Sequence, residues 1–192
     1  MKIVVATPDM ADQMLKIYAP FITGSVVTFE TKLPDNDVFR KRINSCLKRF
    51  PWLAAVQDGK VLGYAYAAAY RERDAYQWAV ECSVYIDADA KKAGIATRLY
   101  NALFDLLKLQ GIYKVYAVIT TPNPESVGFH ERFGFKWFAT YTQVGFKSGQ
   151  WCDVGWWQLL LKETGTDTPA PIRPFSALSA ETIQSVLTRY TN

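Results

Sequence analysis

The residues best suited to chemistry lie in one stretch, Val80–Ala96. It begins with a β-prone run whose single charged residue is Glu81, and it continues through an acidic turn into the small-residue loop Lys91-Lys92-Ala93-Gly94-Ile95-Ala96. Apolar residues after the loop repeat at helical spacing, so the stretch predicts a strand, a loop and a helix. Backbone N–H groups at such a helix N-terminus can hold an anion, and the two lysines add positive charge. A ligand that carries phosphate is the first hypothesis.

The composition of the whole chain predicts one globular protein. Its 192 residues are enough to bury a core, and 49% hydrophobic with 21% charged residues is ordinary for a folded domain. The net charge of +4 suits an anionic ligand, but the basic residues are spread along the chain, so we expect no nucleic acid partner. No apolar run approaches the roughly 18 residues of a membrane-spanning helix, and the N-terminus lacks a signal-peptide hydrophobic region, so we expect no membrane partner. Three scattered cysteines without metal-ligand spacing predict a cytoplasmic protein with no metal site.

The elements around Val80–Ala96 predict a sheet with helices packed on it. A short strand at 2–6 is followed by a helix that Pro20 should end and by a second helix that starts at Pro34. Three strands should then form an antiparallel meander, and three more should follow the central helix. A short helix should separate the first of these three from the second, which begins after Gly134-Phe135. The predicted strands are 52–57, 60–70, 77–86, 114–120 and 154–161.

The composition changes after Lys162. Residues 163–174 are rich in Thr, Pro and Gly and are typical of a linker, and Ser179 then caps a short helix. An apolar stripe on this helix, Ile183 to Tyr190, must be buried against the protein's own core or against a second subunit. We therefore divide the chain into a domain, 1–162, and a C-terminal extension, 163–192.

Two motifs and the order of the elements resemble the GNAT superfamily of acyl-CoA-dependent N-acetyltransferases. Lys91–Ala96 matches the superfamily's phosphate loop, Gln/Arg-x-x-Gly-x-Gly/Ala, with Lys in the first position. A second family pattern follows at the proper distance as Asn123, Ser126, His130 and Gly134-Phe135. The closer resemblance is to the phosphinothricin and methionine sulfoximine acetyltransferases, from residue 17 to about residue 161. It rests on Ile17-Tyr18, Thr28–Thr31, Ala75-Tyr76, Val80–Ile86 and Val144–Val154.

This resemblance implies an α+β fold with acetyl-CoA as cosubstrate. A single mixed, largely antiparallel sheet of about seven strands would be flanked by about four helices, with the linker and a further short helix at the C-terminus. Acetyl-CoA would lie where the strands at 77–86 and 114–120 splay apart. The resemblance also implies a homodimer, and the apolar stripe in the extension agrees with it.

The resemblance further assigns residues to the cosubstrate. The backbone around Val84, Tyr85 and Ile86 would pair with the pantetheine arm, as a peptide adds to a sheet edge. The amides after the strand would hold the pyrophosphate at the helix N-terminus. The loop residues assigned to this role are Lys91, Lys92, Ala93, Gly94, Ile95 and Ala96. Asn123 and Ser126 would also contact the cosubstrate, with simple helix capping as their alternative role.

Acetyl transfer requires a free amine, because an ammonium has no lone pair with which to attack a thioester. Glu81 matches the acid of the family's Val-Glu-x-Ser-Val-Tyr stretch. The resemblance therefore implies that Glu81 is the general base, acting directly or through water. The alternative is that Glu81 is a surface glutamate that points outward from an alternating strand. Cys82 should point to the opposite face of the strand, which argues against a covalent route. His130 takes the position of a proton-donating tyrosine in many superfamily members. It is predicted to protonate the departing thiolate or to share a proton relay with Glu81, and a structural role is the alternative.

Six residues are candidates for binding the acceptor: Phe29, Glu30, Arg71, Arg73, Tyr76 and Lys147. The carboxylate and the sulfoximine or phosphinate head of an amino-acid analogue need cations, and a guanidinium can hold either group with two hydrogen bonds. Arg71 and Arg73 can equally form an exposed charged loop, and Phe29 and Tyr76 can be core aromatics. The leading hypothesis is acetyl transfer to the α-amine of a small amino acid or analogue by direct attack. The alternatives are another amine (a polyamine, an aminoglycoside or a protein N-terminus) and a non-catalytic acyl-CoA-binding module.

Overall fold

A computed structural model describes residues 1–91 and 93–191. In this part of the chain seven strands form one sheet in the order β1-β2-β3-β4-β5-β7-β6, and β4–β5 is its one parallel pair. The strands are β1 (Lys2–Val5), β2 (Trp52–Gln57), β3 (Lys60–Ala69), β4 (Ala79–Ile86), β5 (Lys114–Thr121), β6 (Lys136–Lys147) and β7 (Gln150–Leu160). The predicted mixed, largely antiparallel α+β fold is confirmed.

Five α-helices are present among the described residues. They are α1 (Ala11–Thr23), α2 (Asn36–Arg49), α3 (Ile95–Gln110), α4 (Pro124–Arg132) and α5 (Ala180–Thr188). Helices α1 and α2 pack with aromatic residues of β2 and β3 in one apolar core. Helices α3 and α5 build a second core on the other face of the sheet, where α3 buries the predicted apolar positions Leu99, Leu103, Leu106 and Leu107. The sheet therefore has two distinct faces, an α1–α2 face and an α3–α5 face.

Two local predictions about turns and helix ends have different outcomes. The β2–β3 hairpin turns at Asp58-Gly59, whose φ angles of 50° and 78° are those of a tight two-residue hairpin turn. The prediction that Pro20 ends the first helix is wrong, because α1 continues to Thr23. Proline has no N–H for the Lys16 carbonyl and its ring crowds that group, but its fixed φ suits a helix. The last turn is closed here by Gly24 N–H donating to the Pro20 carbonyl at 3.0 Å.

The β4–β5 pair separates early. It joins Ala79 to Lys114, Val80 to Val115 and Glu81 to Tyr116, and it extends no further. Beyond this point β4 stays paired with β3 as far as Ile86, whereas β5 follows β7 to Thr121. In the described part of the chain, no strand therefore lies beside the β5-facing edge of β4 from Cys82 onward, and a gap opens through the sheet between its two faces.

The segment after Lys162 packs on the rest of the chain. Trp78 Nε1 donates to the Ala170 carbonyl oxygen at 2.8 Å, and Tyr190 Oη donates to Asp105 Oδ2 at 2.6 Å. Val186 and Leu187 are buried in the core that α3 forms. The apolar stripe of α5 is thus covered by the protein's own core, so it no longer supports the expected homodimer.

Candidate active site

A cavity of about 480 Å³ lies in the gap between β4 and β5. Its walls come from the free edge of β4, the N-terminus of α3, the middle of β5 and helix α4. The cavity brings together nine residues predicted to bind the cosubstrate, namely Val84, Tyr85, Ile86, Lys91, Gly94, Ile95, Ala96, Asn123 and Ser126. Ala93 lies on the loop but not in the cavity wall, and Lys92 falls outside the described residues.

The start of α3, where the sequence predicts an anion site, lies at one end of the cavity. Gly94 adopts φ +72°, a left-handed conformation that glycine accepts without strain, and this turns the loop into the helix. A Cβ at Gly94 would meet nothing within 4 Å, so the backbone angle and not lack of space requires glycine. Among the described residues, no side chain caps the first amides of α3, which leaves N–H groups at the positive end of a 16-residue helix. Lys91 Nζ lies nearby, 3.5 Å from the Glu125 carboxylate.

Helix α4 begins with the predicted capping interaction. Asn123 Oδ1 accepts a hydrogen bond from the Ser126 backbone N–H at 3.1 Å. Asn123 therefore caps α4, which is the structural role that the sequence offered as the alternative to binding the cosubstrate. Both residues also line the cavity, so this cap positions them beside the space for the cosubstrate. Their contact with the cosubstrate itself stays a prediction.

His130 lies in the same cavity wall within a buried hydrogen-bonded chain. Its Nδ1 is 2.8 Å from the Ser126 carbonyl oxygen, and its Nε2 is 3.0 Å from Tyr100 Oη. Tyr100 Oη is in turn 3.3 Å from Cys82 Sγ. Burial lowers the pKa of His130 and raises the pKa of Cys82 to about 12. The imidazole and the thiol are therefore both uncharged at neutral pH.

Glu81 and His130 lie on opposite faces of the sheet. Side chains alternate along β4, so Glu81 faces away from Cys82 as predicted, and Cys82 is the residue that reaches Tyr100 and through it His130. The structure thus does not join Glu81 and His130 in the shared relay that the sequence suggested. Each approaches the β4–β5 gap from its own side.

The carboxylate of Glu81 stands on the α1–α2 face, where β4 and β5 begin to separate. It is 34% exposed, and its Oε1 is 3.7 Å from Arg71 Nη1. Burial raises the pKa of Glu81, while the Arg71 charge acts in the opposite direction. The net upward shift suits a carboxylate that must accept a proton from an amine.

An aromatic wall, defined as Tyr70, Tyr116 and Trp156, stands beside Glu81. Tyr116 is the cross-strand neighbour of Glu81, and its ring centroid lies 4.6 Å from that of Tyr70. The guanidinium of Arg71 lies 4.3 Å from the Tyr70 ring centroid and 5.9 Å from that of Trp156. The faces of these rings can hold a cationic group next to the carboxylate.

Three predicted acceptor residues lie on the segment between α1 and α2 or on the hairpin it contacts. Phe29 packs so closely on Gly145 that a Cβ there would lie 2.2 Å from the ring. Lys147 is buried, and its Nζ donates to the Thr28 carbonyl oxygen at 2.6 Å. Glu30 pairs with Arg42 of α2. These contacts anchor the segment; a direct contact of any of the three with the acceptor stays a prediction.

The remaining candidates follow β3. Arg71 is the one that contacts Glu81, whereas Arg73 lies exposed further along the same loop. Tyr76 is exposed and meets Tyr70 edge-on, with ring centroids 5.7 Å apart. The structure thus places Arg71 beside Glu81, and Tyr76 reaches this region through its contact with Tyr70. Arg73 stays on the exposed part of the loop.

Sequence reasoning missed Tyr100, Tyr116 and Trp156. Tyr116 had a usable signal, because it alternates with the inward residues Val115 and Ala117 and must therefore face the other side. Tyr100 had none, since it lies on the apolar stripe of α3 and is typical of a core aromatic there. Trp156 needed the strand order, which places β7 beside β5.

Some site types are not found in the described part of the chain. Residues 1–91 and 93–191 contain no group of three or more His, Cys, Asp or Glu side chains arranged to hold a metal ion. Among the same residues, no helix combines the length and the apolar character needed to span a membrane. Cys46, Cys82 and Cys152 are all free thiols.

Comparisons with known sequences point to one family. Residues 3–156 match the acetyltransferase (GNAT) domain. The chain is 36% identical to the phosphinothricin N-acetyltransferase of Streptomyces viridochromogenes, over 86% of this chain and 87% of that protein. It is 37% identical to the L-methionine sulfoximine/L-methionine sulfone acetyltransferase of Pseudomonas aeruginosa, over 58% of this chain and 65% of that protein.

A solved structure gives the same result. The GNAT superfamily phosphinothricin acetyltransferase of Sinorhizobium meliloti, determined in complex with AcCoA, has a TM-score of 0.82 and 29% identity. The match covers 88% of this chain and 92% of that one. The domain match covers most of the chain, and the gap between β4 and β5 is present in its fold. This chain is therefore an enzyme of the GNAT family of acetyltransferases.

Proposed function

We propose that this enzyme transfers the acetyl group of acetyl-CoA to the α-amino group of a small amino acid or amino-acid analogue, of the phosphinothricin or methionine sulfoximine type. Acetyl-CoA is the cosubstrate. The observation that carries the proposal is the position of Glu81, whose carboxylate stands on the α1–α2 face where β4 and β5 separate, two residues before Ser83 in the cavity wall. The names of the relatives support the choice of acceptor.

The residues present fit acetyl-CoA as a substrate. The unpaired edge of β4 offers backbone groups of Val84 to Ile86 to the pantetheine amides, as a sheet edge does to a peptide. The uncapped N-terminus of α3 and the left-handed turn at Gly94 suit the pyrophosphate. These two features lie at successive points along one cavity wall, and that order agrees with a pantetheine arm followed by a pyrophosphate.

The proposed reaction is direct attack by the amine. Glu81 takes a proton from the α-ammonium, and the freed nitrogen forms a C–N bond to the thioester carbon. The C–S bond then breaks with its electron pair on sulfur, and the second proton that the adduct nitrogen loses balances the charge of the thiolate as free CoA thiol. An acyl-cysteine route is disfavoured, because burial raises the pKa of Cys82 to about 12 and its thiol contacts Tyr100 Oη. A protonated thiol is a poor nucleophile.

Acceptor recognition is assigned first to Arg71. Its guanidinium lies against the aromatic wall beside the base, where it can meet the carboxylate of an amino acid whose amine faces Glu81. Arg73 at the rim is the second cation. Phe29, Glu30, Tyr76 and Lys147 complete the proposed acceptor side, with Lys147 and Phe29 acting through the segment that they anchor.

A homodimer is also proposed, on grounds other than the α5 stripe. The hairpin of β6 and β7 forms one edge of the sheet and exposes large apolar side chains, with Phe146 57% and Trp151 60% exposed. Such side chains are typical of surfaces that associate. Light scattering after size exclusion should give a dimer mass for the wild type and a monomer mass for Trp151→Lys; a monomeric wild type would contradict the proposal.

A cytoplasmic location is retained as a proposal, supported by the three free thiols.

The experiment that tests the function is an acceptor panel with acetyl-CoA. Release of the CoA thiol is followed with methionine sulfoximine, phosphinothricin, polyamines and an aminoglycoside. The proposal predicts turnover with the amino-acid analogues and acetate on the α-nitrogen of the product. Turnover with polyamines alone, or thiol release that does not depend on any amine, would overturn it.

A further inference from the structure

A second cavity, of about 370 Å³, lies on the α1–α2 face of the sheet, between helix α2 and strands β2 and β3. We call it the α2 cavity. The residues that line it are not among those that the sequence predicted for the site. Much of its wall is aromatic, and the rings of Trp52 and Tyr66 stack there with centroids 4.2 Å apart. Two arginines of α2, Arg42 and Arg49, also line it, and no carboxylate does so among the described residues.

The α2 cavity adjoins both the proposed base and the cavity between β4 and β5. Ala68 lines the α2 cavity and is the cross-strand partner of Glu81. Tyr66 lines it too, and its cross-strand partner Ser83 lines the cavity between β4 and β5. Side chains of cross-strand partners point to the same face, with Cα atoms about 4.5–5.5 Å apart. Because Ala68 is exposed and carries only a methyl group, an amino acid whose amine meets Glu81 can extend its side chain into the α2 cavity.

The two arginines of the α2 cavity differ in how their charges are balanced. Arg42 Nη1 donates to Glu30 Oε1 at 2.5 Å, so an anion already faces this guanidinium. Arg49 is half-buried, and its guanidinium carbon lies 5.0 Å from the ring centroid of Phe50, which is also part of the cavity wall. Within residues 1–91 and 93–191, Arg49 takes part in no ion pair. It therefore supplies the unbalanced positive charge of the α2 cavity.

We propose that Arg49 is a specificity-determining residue: the α2 cavity takes the side chain of the acceptor, and Arg49 selects a side chain that ends in an anionic oxygen group. The inference rests on the proposed function, because it names the acceptor class that the same site takes. The rings of Trp52 and Tyr66 cover the methylene groups of such a side chain, and the guanidinium donates to its terminal oxygens. Arg71 is left for the α-carboxylate. A cationic side chain is disfavoured, because it would meet like charge in the α2 cavity.

Phosphinothricin and methionine sulfoximine form a pair of acceptors that isolates this charge. Each is an α-amino acid with two methylene groups before a tetrahedral head that carries a methyl group. The phosphinate head of phosphinothricin is anionic at neutral pH, whereas the sulfoximine head is uncharged. The two acceptors are therefore similar in size and shape, and a preference between them reports on the charge of the pocket.

The kinetic test compares kcat/KM for the two acceptors at saturating acetyl-CoA. Wild type should prefer phosphinothricin. Arg49→Gln should lower the ratio of kcat/KM for phosphinothricin to that for methionine sulfoximine by roughly tenfold, mainly through the KM for phosphinothricin. Arg49→Lys keeps the positive charge and should keep a preference for phosphinothricin, which separates loss of charge from loss of folding. Lys48→Gln is the matched control, because it removes the neighbouring charge of α2 outside the cavity wall and should leave the ratio unchanged.

A binding measurement separates this inference from the proposed function. Calorimetric titration of phosphinothricin into the enzyme with CoA, instead of acetyl-CoA, needs no turnover. The Kd should rise by roughly tenfold in Arg49→Gln and stay unchanged in Lys48→Gln. A wild type that does not bind phosphinothricin or that prefers methionine sulfoximine, or an Arg49→Gln enzyme with an unchanged ratio and Kd, would overturn the inference; turnover of either acceptor would then still support acetyl transfer. Binding that depends on Arg49, without turnover of any amino acid in the acceptor panel, would reject the proposed function and leave the α2 cavity as a binding site.

Discussion

Replacing Arg71 by methionine tests whether Glu81 is the base. Arg71 Nη1 lies 3.7 Å from Glu81 Oε1, and the two side chains are 46% and 34% exposed. Methionine keeps an apolar chain against the Tyr70 ring and removes the charge, together with the exposed hydrogen bond from Arg71 Nη1 to the Tyr70 carbonyl oxygen. Because the Arg71 charge lowers the pKa of Glu81 against the larger effect of burial, its loss should raise that pKa further.

The size of the effect follows from the separation of the charges. Unit charges about 3.7 Å apart interact by roughly 1 kcal/mol in water and by roughly 4–5 kcal/mol at an effective dielectric constant near 20. Solvent reaches both groups, so the lower figure applies. Since about 1.4 kcal/mol corresponds to one pH unit, we expect a shift of about half to one pH unit. Glu81 must be ionised to accept a proton, so the acidic limb of the kcat/KM profile should move to higher pH.

The assay follows CoA thiol release from about pH 5 to pH 9 with an amino-acid acceptor. Arg73→Met is the control, because Arg73 lies on the same loop but makes no ion pair with Glu81 in the described structure. It can weaken acceptor binding, but it should leave the acidic limb in place. An Arg71→Met limb that stays in place, or moves to lower pH, would refute the assignment of Glu81.

Three further predictions concern the cosubstrate loop, the acceptor segment and stability. Gly94→Ala places a side chain at φ +72°, at a cost of about 1–2 kcal/mol, and should raise the KM for acetyl-CoA with little change in kcat; an unchanged KM would count against the loop. Gly145→Ala must displace the Phe29 ring and should raise the KM of the acceptor alone, as separate titrations of the two substrates would show. Because burial lowers the pKa of His130, the imidazole stays neutral in the folded state at a pH where the unfolded state takes up a proton, near pH 6.5. The free energy of unfolding should therefore fall as the pH drops below 6.5, by up to about 1.4 kcal/mol per pH unit. Urea denaturation at several pH values should show this fall in wild type and a smaller one in His130→Gln.

The parts of the site that the sequence could predict depend on local backbone geometry. The loop before α3 needs a left-handed residue to turn a strand into a helix, and Gly94 supplies it at φ +72°. Alternation along β4 placed Glu81 and Cys82 on opposite faces, because a strand has no other option. Both inferences involve residues close together in the chain.

The parts that could not be predicted depend on contacts between distant segments. Tyr100 is 30 residues from His130, and its position on the apolar stripe of α3 indicates burial but not a partner. The aromatic wall joins β5, β7 and the loop after β3, and it exists only because β7 returns between β5 and β6. The stripe of α5 was consistent with either a partner subunit or its own core, and only the packing of Val186 and Leu187 decides between them.

The most direct test of the account is acceptor-dependent CoA release with L-methionine sulfoximine, compared with the same compound already blocked on its α-nitrogen. The account predicts one thiol released for each free acceptor consumed, acetate recovered on the α-nitrogen, and no release with the blocked compound. It also predicts that Glu81→Gln loses most of this activity at acidic pH, where the amine is protonated. Equal release with the free and the blocked compound, or none with either, would contradict transfer to the α-amine at the gap between β4 and β5.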